Sequence, residues 1–211
     1  PAQQWGATHY IPVTRYSEFT GSAFVNMSRR FLLTLLSLLL VVAGDSAAKQ
    51  DLDTWILVDT RKMVLSVLEG DKVRRTYNDI AIGRAGTTAD KKQGDNKTPL
   101  GEFRLVRIAP KTPFHRFFGI DYPTVAHAKR ALRAGTIGLE HYIEIYRAIR
   151  AQAIPPQETP LGGYIGIHGI GEGEAAIHKR FNWTQGCIAL TNQQIDDLSK
   201  WVYVGMRVVI R

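Results

Sequence analysis

From residue 54 to residue 108 the apolar side chains come in short runs broken by turn residues, and runs of that length suit the strands of a sheet rather than helices. Thr54-Trp55-Ile56-Leu57-Val58 and Met63-Val64-Leu65-Ser66-Val67-Leu68 flank the polar Asp59-Thr60-Arg61-Lys62, as the two arms of a hairpin would. Gly70-Asp71 turns the chain again, and residues 73–82 continue the meander with Val73, Tyr77, Ile80 and Ile82 expected to face inward. Residues 83–97 carry glycines and charges without an apolar anchor and read as a solvated excursion rather than a functional flap. Thr98-Pro99-Leu100-Gly101-Glu102-Phe103 restarts the sheet, because proline removes a donor and glycine admits positive φ at a turn. The next strand covers residues 103–108.

Residues 110–134 mix aromatic and basic side chains, among them His115, Phe117, Phe118, Tyr122 and His127. No alternation of basic and aromatic residues accompanies the phenylalanines, so they read as core or groove wall rather than as a platform for stacked bases. Residues 139–152 have helical composition, with Leu139, Ile143, Tyr146 and Ile149 at helical spacing, and Pro155-Pro156 stops the run. Thr191 with Gln194 forms a capping box, which places Ile195, Leu198, Trp201 and Val202 on one helix face. A last strand covers residues 206–210. Strands dominate and no strand–helix alternation implies a parallel sheet, so the class is mainly β with a few short helices.

The first part of the chain reads as processing sequence. Met27-Ser28-Arg29-Arg30 supplies a positive start, residues 31–42 an apolar run too short to span a bilayer, and Ser46 and Ala48 a small-residue exit that places cleavage before Lys49. Residues 1–26 are expected to be an upstream or non-native extension, 27–48 a signal peptide and 49–211 one exported domain, bound for the periplasm or cell envelope. A chain of 211 residues with 45% hydrophobic side chains has enough for one well-packed domain plus a tail, with no need of a disulfide or metal to complete the core. Its basic residues, part of a net charge of +8, are scattered rather than clustered, which suits a polyanionic wall and gives no nucleic-acid stripe.

Export changes the meaning of the single cysteine, Cys187. In an oxidising compartment an unpaired thiol is hidden, linked to another molecule, or used. His168 stands at the end of the apolar run over residues 164–167. If the imidazole reaches the thiol, an ion pair would lower the thiol pKa by about 2 units. Backbone amides of Gly186 and Cys187 are the candidate oxyanion donors, since a glycine beside the nucleophile lets the main chain approach the substrate. A metal site from His168, His178 and Cys187 lacks any recognised ligand spacing, and no cofactor is expected.

These residues resemble the L,D-transpeptidase, or YkuD-type, catalytic domain of bacterial cell-wall enzymes. His168-Gly169 followed by Thr184-Gln185-Gly186-Cys187 matches the family's histidine and its Ser/Thr-Xaa-Gly-Cys motif, and residues 98–103 match its upstream Thr-Pro-Xaa-Gly-Xaa-Phe/Tyr signature. The resemblance implies a sandwich- or barrel-like β fold. It makes Cys187 the nucleophile, His168 its base and Gly169 the third member, through a carbonyl that orients the imidazole. Trp183, Thr184, Gln185 and Tyr122 are the candidate substrate contacts. The implied reaction acylates the thiol with the third residue of a peptidoglycan tetrapeptide stem, releases D-alanine, and passes the acyl group to an amine. That amine belongs to a second stem, giving a 3→3 cross-link, or to a lysine of an outer-membrane lipoprotein, and a carbapenem would acylate the same cysteine. The alternatives are a carboxypeptidase or amide hydrolase on the same fold, and a wall-binding domain without catalysis. Many members carry histidine at the Gln185 position and arginine at the Ala189 position, and both departures bear on donor and acceptor choice.

Overall fold

Alternation decides the first sheet strands. The computed structural model describes residues 54–211; the expected extension over residues 1–26 and the leader over 27–48 lie outside the described residues. In β1 (Thr54–Asp59) every second residue is buried, and β2 (Val64–Glu69) pairs antiparallel with it, setting Val67 opposite Ile56 and Leu65 opposite Val58. β3 (Lys72–Tyr77) follows, and only Tyr77 of it is buried. Val73, expected inward, is 54% exposed, because β3 begins as the outermost strand with no layer over that end.

The remaining strands are β4 (Thr87–Thr88), β5 (Thr98–Pro99), β6 (Gly101–Thr112), β7 (His115–Ile120), β8 (Gly166–Gly169), β9 (Ile188–Leu190) and β10 (Arg207–Ile210). Eight of them form one sheet in the order β3-β2-β1-β10-β6-β7-β8-β9, and β4 pairs with β5 apart from it. The pairs β1·β10 and β8·β9 are parallel, which the absence of regular strand–helix alternation did not announce. Beyond β3 the chain comes round to the far edge. The Ala81 and Ala189 amides donate to each other's carbonyls at 3.0 and 2.8 Å, so β9 has no open edge there and the sheet curls toward a barrel.

Four helices complete the described fold: α1 (Val125–Arg133), α2 (Leu139–Arg150), α3 (Ala175–Arg180) and α4 (Asn192–Leu198). The capping box of α4 forms as expected: Gln194 N–H donates to Thr191 Oγ1 at 3.2 Å and Thr191 N–H to Gln194 Oε1 at 2.9 Å, and Ile195 and Leu198 enter the core. In α2 the inward phase differs from the expected one. Ile145 is fully buried with Tyr142 and Ile149 beside it, whereas Leu139 and Tyr146 are exposed, because the helix rests on α1 rather than on the sheet. Helix α1 was not anticipated, since its buried residues are alanines and a histidine rather than large apolar side chains.

That histidine, His127, joins the core through a polar handshake. Thr124 Oγ1 donates to its Nδ1 at 2.7 Å, its Nε2–H donates to Leu100 O at 3.1 Å, and its ring stacks on Phe103 and meets Tyr122 edge-on. In the neutral form both nitrogens are satisfied by these partners. Burial, reinforced by the Arg130 charge, pushes its pKa down to about 4. Between about pH 6.5 and pH 4 the unfolded chain therefore binds a proton that the folded chain refuses, and stability falls as pH falls. His127 alone is expected to remove ~3 kcal/mol over that window. Thermal melts at pH 7 and pH 4.5 should show a clear drop, reduced in a His127→Gln chain; equal melting temperatures at both pH values would contradict this.

Candidate active site

Residues 165–168 alternate across β8. Ile165 and Ile167 go into the core on one side, while Gly166 and His168 face the other. Strand β9 repeats the pattern beside it in parallel register, Ile167 opposite Ile188 and His168 opposite Ala189. Cys187, two residues before Ala189, therefore shares the face of His168. Both side chains line a cleft of about 880 Å³, walled also by Phe114, Phe117, Tyr164 and Trp183.

His168 is buried and its Nδ1–H donates to Gly169 O at 2.7 Å, which fixes the tautomer and leaves the Nε2 lone pair free of any internal hydrogen bond among the described residues. Burial lowers its pKa, against the opposing pull of the Gly169 carbonyl. Three aromatic rings hold the imidazole in place. Phe114 lies 4.6 Å away, Phe117 stacks nearly parallel at 6.3 Å, and Trp183 meets it edge-on at 5.7 Å. Trp183 is itself anchored, its Nε1–H donating to His178 Nδ1 at 3.3 Å. Of the three residues weighed as a metal set, His178 thus serves to support the tryptophan.

The thiol departs from the expected ion pair. Cys187 Sγ–H donates to Tyr164 O at 3.4 Å, and no hydrogen bond joins it to His168 among the described residues. Burial of the sulfur at the cleft floor pushes the thiol up to about 11, although the Gly166 amide and the Lys91 charge pull the other way. With the imidazole lowered and the thiol raised, both shifts act against the charged forms.

The oxyanion assignment also changes. Gly186 N–H donates to Thr184 Oγ1 at 3.1 Å, and Thr184 Oγ1–H donates to Cys187 O at 2.7 Å, so Gly186 and the buried Thr184 hold the loop rather than a ligand. The Cys187 amide has no acceptor within the described protein and remains the available donor. Gly186 is at φ +133, and a Cβ there would stand 2.7 Å from Lys97 O. Gln185 is exposed on the cleft and Trp183 lines it. Tyr122 does not: it is fully buried, its hydroxyl donating to Leu161 O at 3.0 Å, its ring packed against Phe103 and His127 in the core just beyond the end of β7.

The largest surprise is the loop over residues 83–97, which packs beneath the thiol instead of extending into solvent. Gly83 bridges Thr184, and Arg84 N–H donates to Thr184 O at 2.9 Å. Lys91 is 4% exposed, and its Nζ donates to Asp95 Oδ1 at 2.6 Å and to Gln185 O at 3.4 Å. Burial opposes ionisation of Asp95, but Lys91 and the Lys97 and Lys92 amides outweigh it and hold the carboxyl below its ordinary range. A charge buried this close to the thiol has no apolar run to flag it. Its only sequence signal was the lysine–aspartate spacing of four residues. Ala189, where an arginine was looked for, is fully buried with its backbone tied to Ala81. Lys91 brings a cation to the site by another route.

A sequence model of the YkuD family, described as the L,D-transpeptidase catalytic domain, matches residues 53–210. No curated protein matches the chain. Among solved structures, two of the helical cell shape determining protein Pgp2 from Campylobacter jejuni, one of them a single-residue mutant, are similar at 22% and 23% identity, with TM-scores of 0.51 and 0.50. They cover 75% of this chain and 47% and 46% of theirs, so the chain spans about half the length of the solved structures it matches. At this identity the likeness speaks for the fold.

Proposed function

The chain belongs to the YkuD family of L,D-transpeptidase catalytic domains, and on that premise we propose that it is a cysteine-dependent acyltransferase of the cell envelope, acting on tetrapeptide stems of peptidoglycan. The observation that carries this reading is the Gly169-oriented imidazole on one strand with the lone thiol on the same face of the next, in a shared cleft.

Cys187 Sγ attacks the carbonyl carbon of the third stem residue while its proton passes to His168 Nε2. The oxygen, now negative, faces the Cys187 amide. Collapse breaks the carbon–nitrogen bond, and His168 returns the proton to the departing D-alanine amine, leaving a thioester. An acceptor amine then attacks the thioester carbonyl, His168 takes a proton from it, and the carbon–sulfur bond breaks to regenerate the thiol. Water in place of the amine would give the carboxypeptidase. A stem amine or a lipoprotein lysine would give cross-linking or attachment. Placement in the envelope rests on the leader-like residues 27–48 and the basic surface.

The test is mass spectrometry of the chain incubated with a tetrapeptide stem, with and without an amine acceptor. The expected products are free D-alanine and an acyl-amine adduct. An acyl-enzyme on Cys187 is expected with a carbapenem. Absence of both D-alanine and any adduct would refute the enzyme reading, and D-alanine without the adduct would assign hydrolysis.

In this mechanism Lys91 favours the developing thiolate and holds the Gln185 carbonyl in place. Lys91→Met combined with Asp95→Asn, so that no carboxylate is left unpaired, is expected to slow thiol alkylation by iodoacetamide at pH 8 by about tenfold through a thiol pKa about one unit higher. Unchanged alkylation profiles, with the fold intact by melting, would remove Lys91 from the chemistry.

A further inference from the structure

Beyond the thiol and its base, the cleft contains a cation with nothing to bind. Arg107, an exposed residue, lines the same cleft as Cys187, and among the described residues its side chain has no hydrogen-bond or ion-pair partner. Lys91, the other cation of the lining, is paired with Asp95. The one carboxylate of the lining, Glu158, accepts from the Tyr164 hydroxyl at 3.2 Å.

The sheet register places Arg107 with some accuracy. Arg107 stands opposite Gly119, and Gly119 opposite Gly166. Extending the β8·β9 register by one residue from the Ile167–Ile188 pair sets Gly166 opposite Cys187. Arg107 and Cys187 are thus the two ends of one row across four strands, on one face of the sheet. Three strand spacings separate them, about 14 Å between backbones, of which an extended arginine spans roughly half.

The row between them is bare. Gly119 and Gly166 have no side chains, and the Phe117 ring lies over both: a Cβ at Gly119 would be 3.1 Å from the ring, and one at Gly166 would be 2.6 Å from it and 2.5 Å from Phe118 O. No Cβ could be added at Gly166 without displacing backbone. The Phe117 ring thus covers the two glycine positions of the row and stacks against His168. A peptide lying on it with its reacting carbonyl at Cys187 would bring a group several bonds away over Arg107, whose planar fork is built to grip a carboxylate in two places.

We propose that Arg107 is the carboxylate anchor of this cleft, holding an anionic end of the acyl-donor peptide at the opposite end of the glycine row from Cys187. This rests on the reading of the chain as a stem-peptide acyltransferase. A stem offers two such groups near the reacting carbonyl: the terminal carboxylate of the fourth residue and the side-chain carboxylate of a diamino-diacid at the third.

The anchor is tested by binding in a Cys187→Ala chain, where no chemistry occurs, with three synthetic tetrapeptides: the free acid, one amidated at the terminal carboxylate and one amidated at the third-residue side chain. Arg107→Met is expected to weaken binding of the free acid about tenfold. One of the two amides should bind the parent chain correspondingly weakly and lose nothing further on Arg107→Met, which identifies the carboxylate that is read. Arg107→Lys should recover part of the affinity. The proposal is overturned if Arg107→Met binds all three peptides as the parent does, or weakens all three equally, the latter showing a structural effect. If the free acid binds through Arg107 while the cysteine-intact chain releases no D-alanine, the anchor stands and the acyltransfer reading fails.

Discussion

Replacing Cys187 with alanine is expected to eliminate D-alanine release and carbapenem acylation together, with turnover reduced about 10⁴-fold or more, as when a covalent nucleophile is removed from an acyl-transfer site. The substitution removes one sulfur at a partly open cleft floor, where its hydrogen bond to Tyr164 O is a long one, so the melting temperature should move little. That contrast between activity and stability makes the result interpretable. A mutant that kept its acylation rate would mean that some other group is the nucleophile. Since Cys187 is the single cysteine of the sequence, the alternative would have to be a hydroxyl or amine chemistry.

Removing the base is expected to be nearly as severe and more informative. His168→Gln should lower kcat/KM by about 10²–10⁴-fold, the range a positioned general base contributes. It should also change the shape of the pH profile. In the parent, the acid limb reports protonation of His168. Because burial lowers that pKa, the limb lies below the ordinary histidine value, and activity persists into mildly acid solution. Without the imidazole, the reaction depends on spontaneous thiolate. The thiol is pushed up to about 11, so the residual rate should climb roughly tenfold per pH unit through the alkaline range. Initial rates from pH 5 to pH 10 on both proteins check this. A mutant profile parallel to the parent's would show that His168 does not carry the proton.

The same two shifts explain why an ion pair is disfavoured here. Proximity of a base to a thiol lowers the thiol pKa only when water or a direct hydrogen bond supports the charges. Here the sulfur lies against Tyr164 O, and the imidazole is enclosed by Phe114, Phe117 and Trp183. Desolvation acts on both groups and favours the uncharged forms. Lys91 is the countervailing charge, and it arrives from a loop that its own composition marked as solvated.

Local patterns carried the parts of the fold that depend on neighbours in sequence. The strands β1 and β2, the capping box of α4 and the placement of His168 at the end of an apolar alternation were all legible, because each follows from a period of two or from a cap-to-backbone bond three residues away. Phase errors occurred where the layer above an element decides burial: Val73 at a sheet edge, and Leu139 and Tyr146 on a helix that packs against another helix. Tyr122 was misplaced for a similar reason, since an aromatic residue among basic ones reads as surface until Leu161 and His127 are seen to enclose it.

By itself the sequence determined which residues could do the chemistry: one thiol, a histidine preceded by alternating Ile and Gly, and the Thr-Gln-Gly approach to the cysteine, sufficient to point to the family. Only the tertiary structure decided how they are electrically set and what stands around them. Strand register is a relation between distant segments, so it took the sheet to align Arg107, Gly119, Gly166 and Cys187 in one row. Burial is a property of the whole packed body, so it took the fold to hold Lys91 beneath the thiol loop and to disfavour the charged forms of both thiol and imidazole.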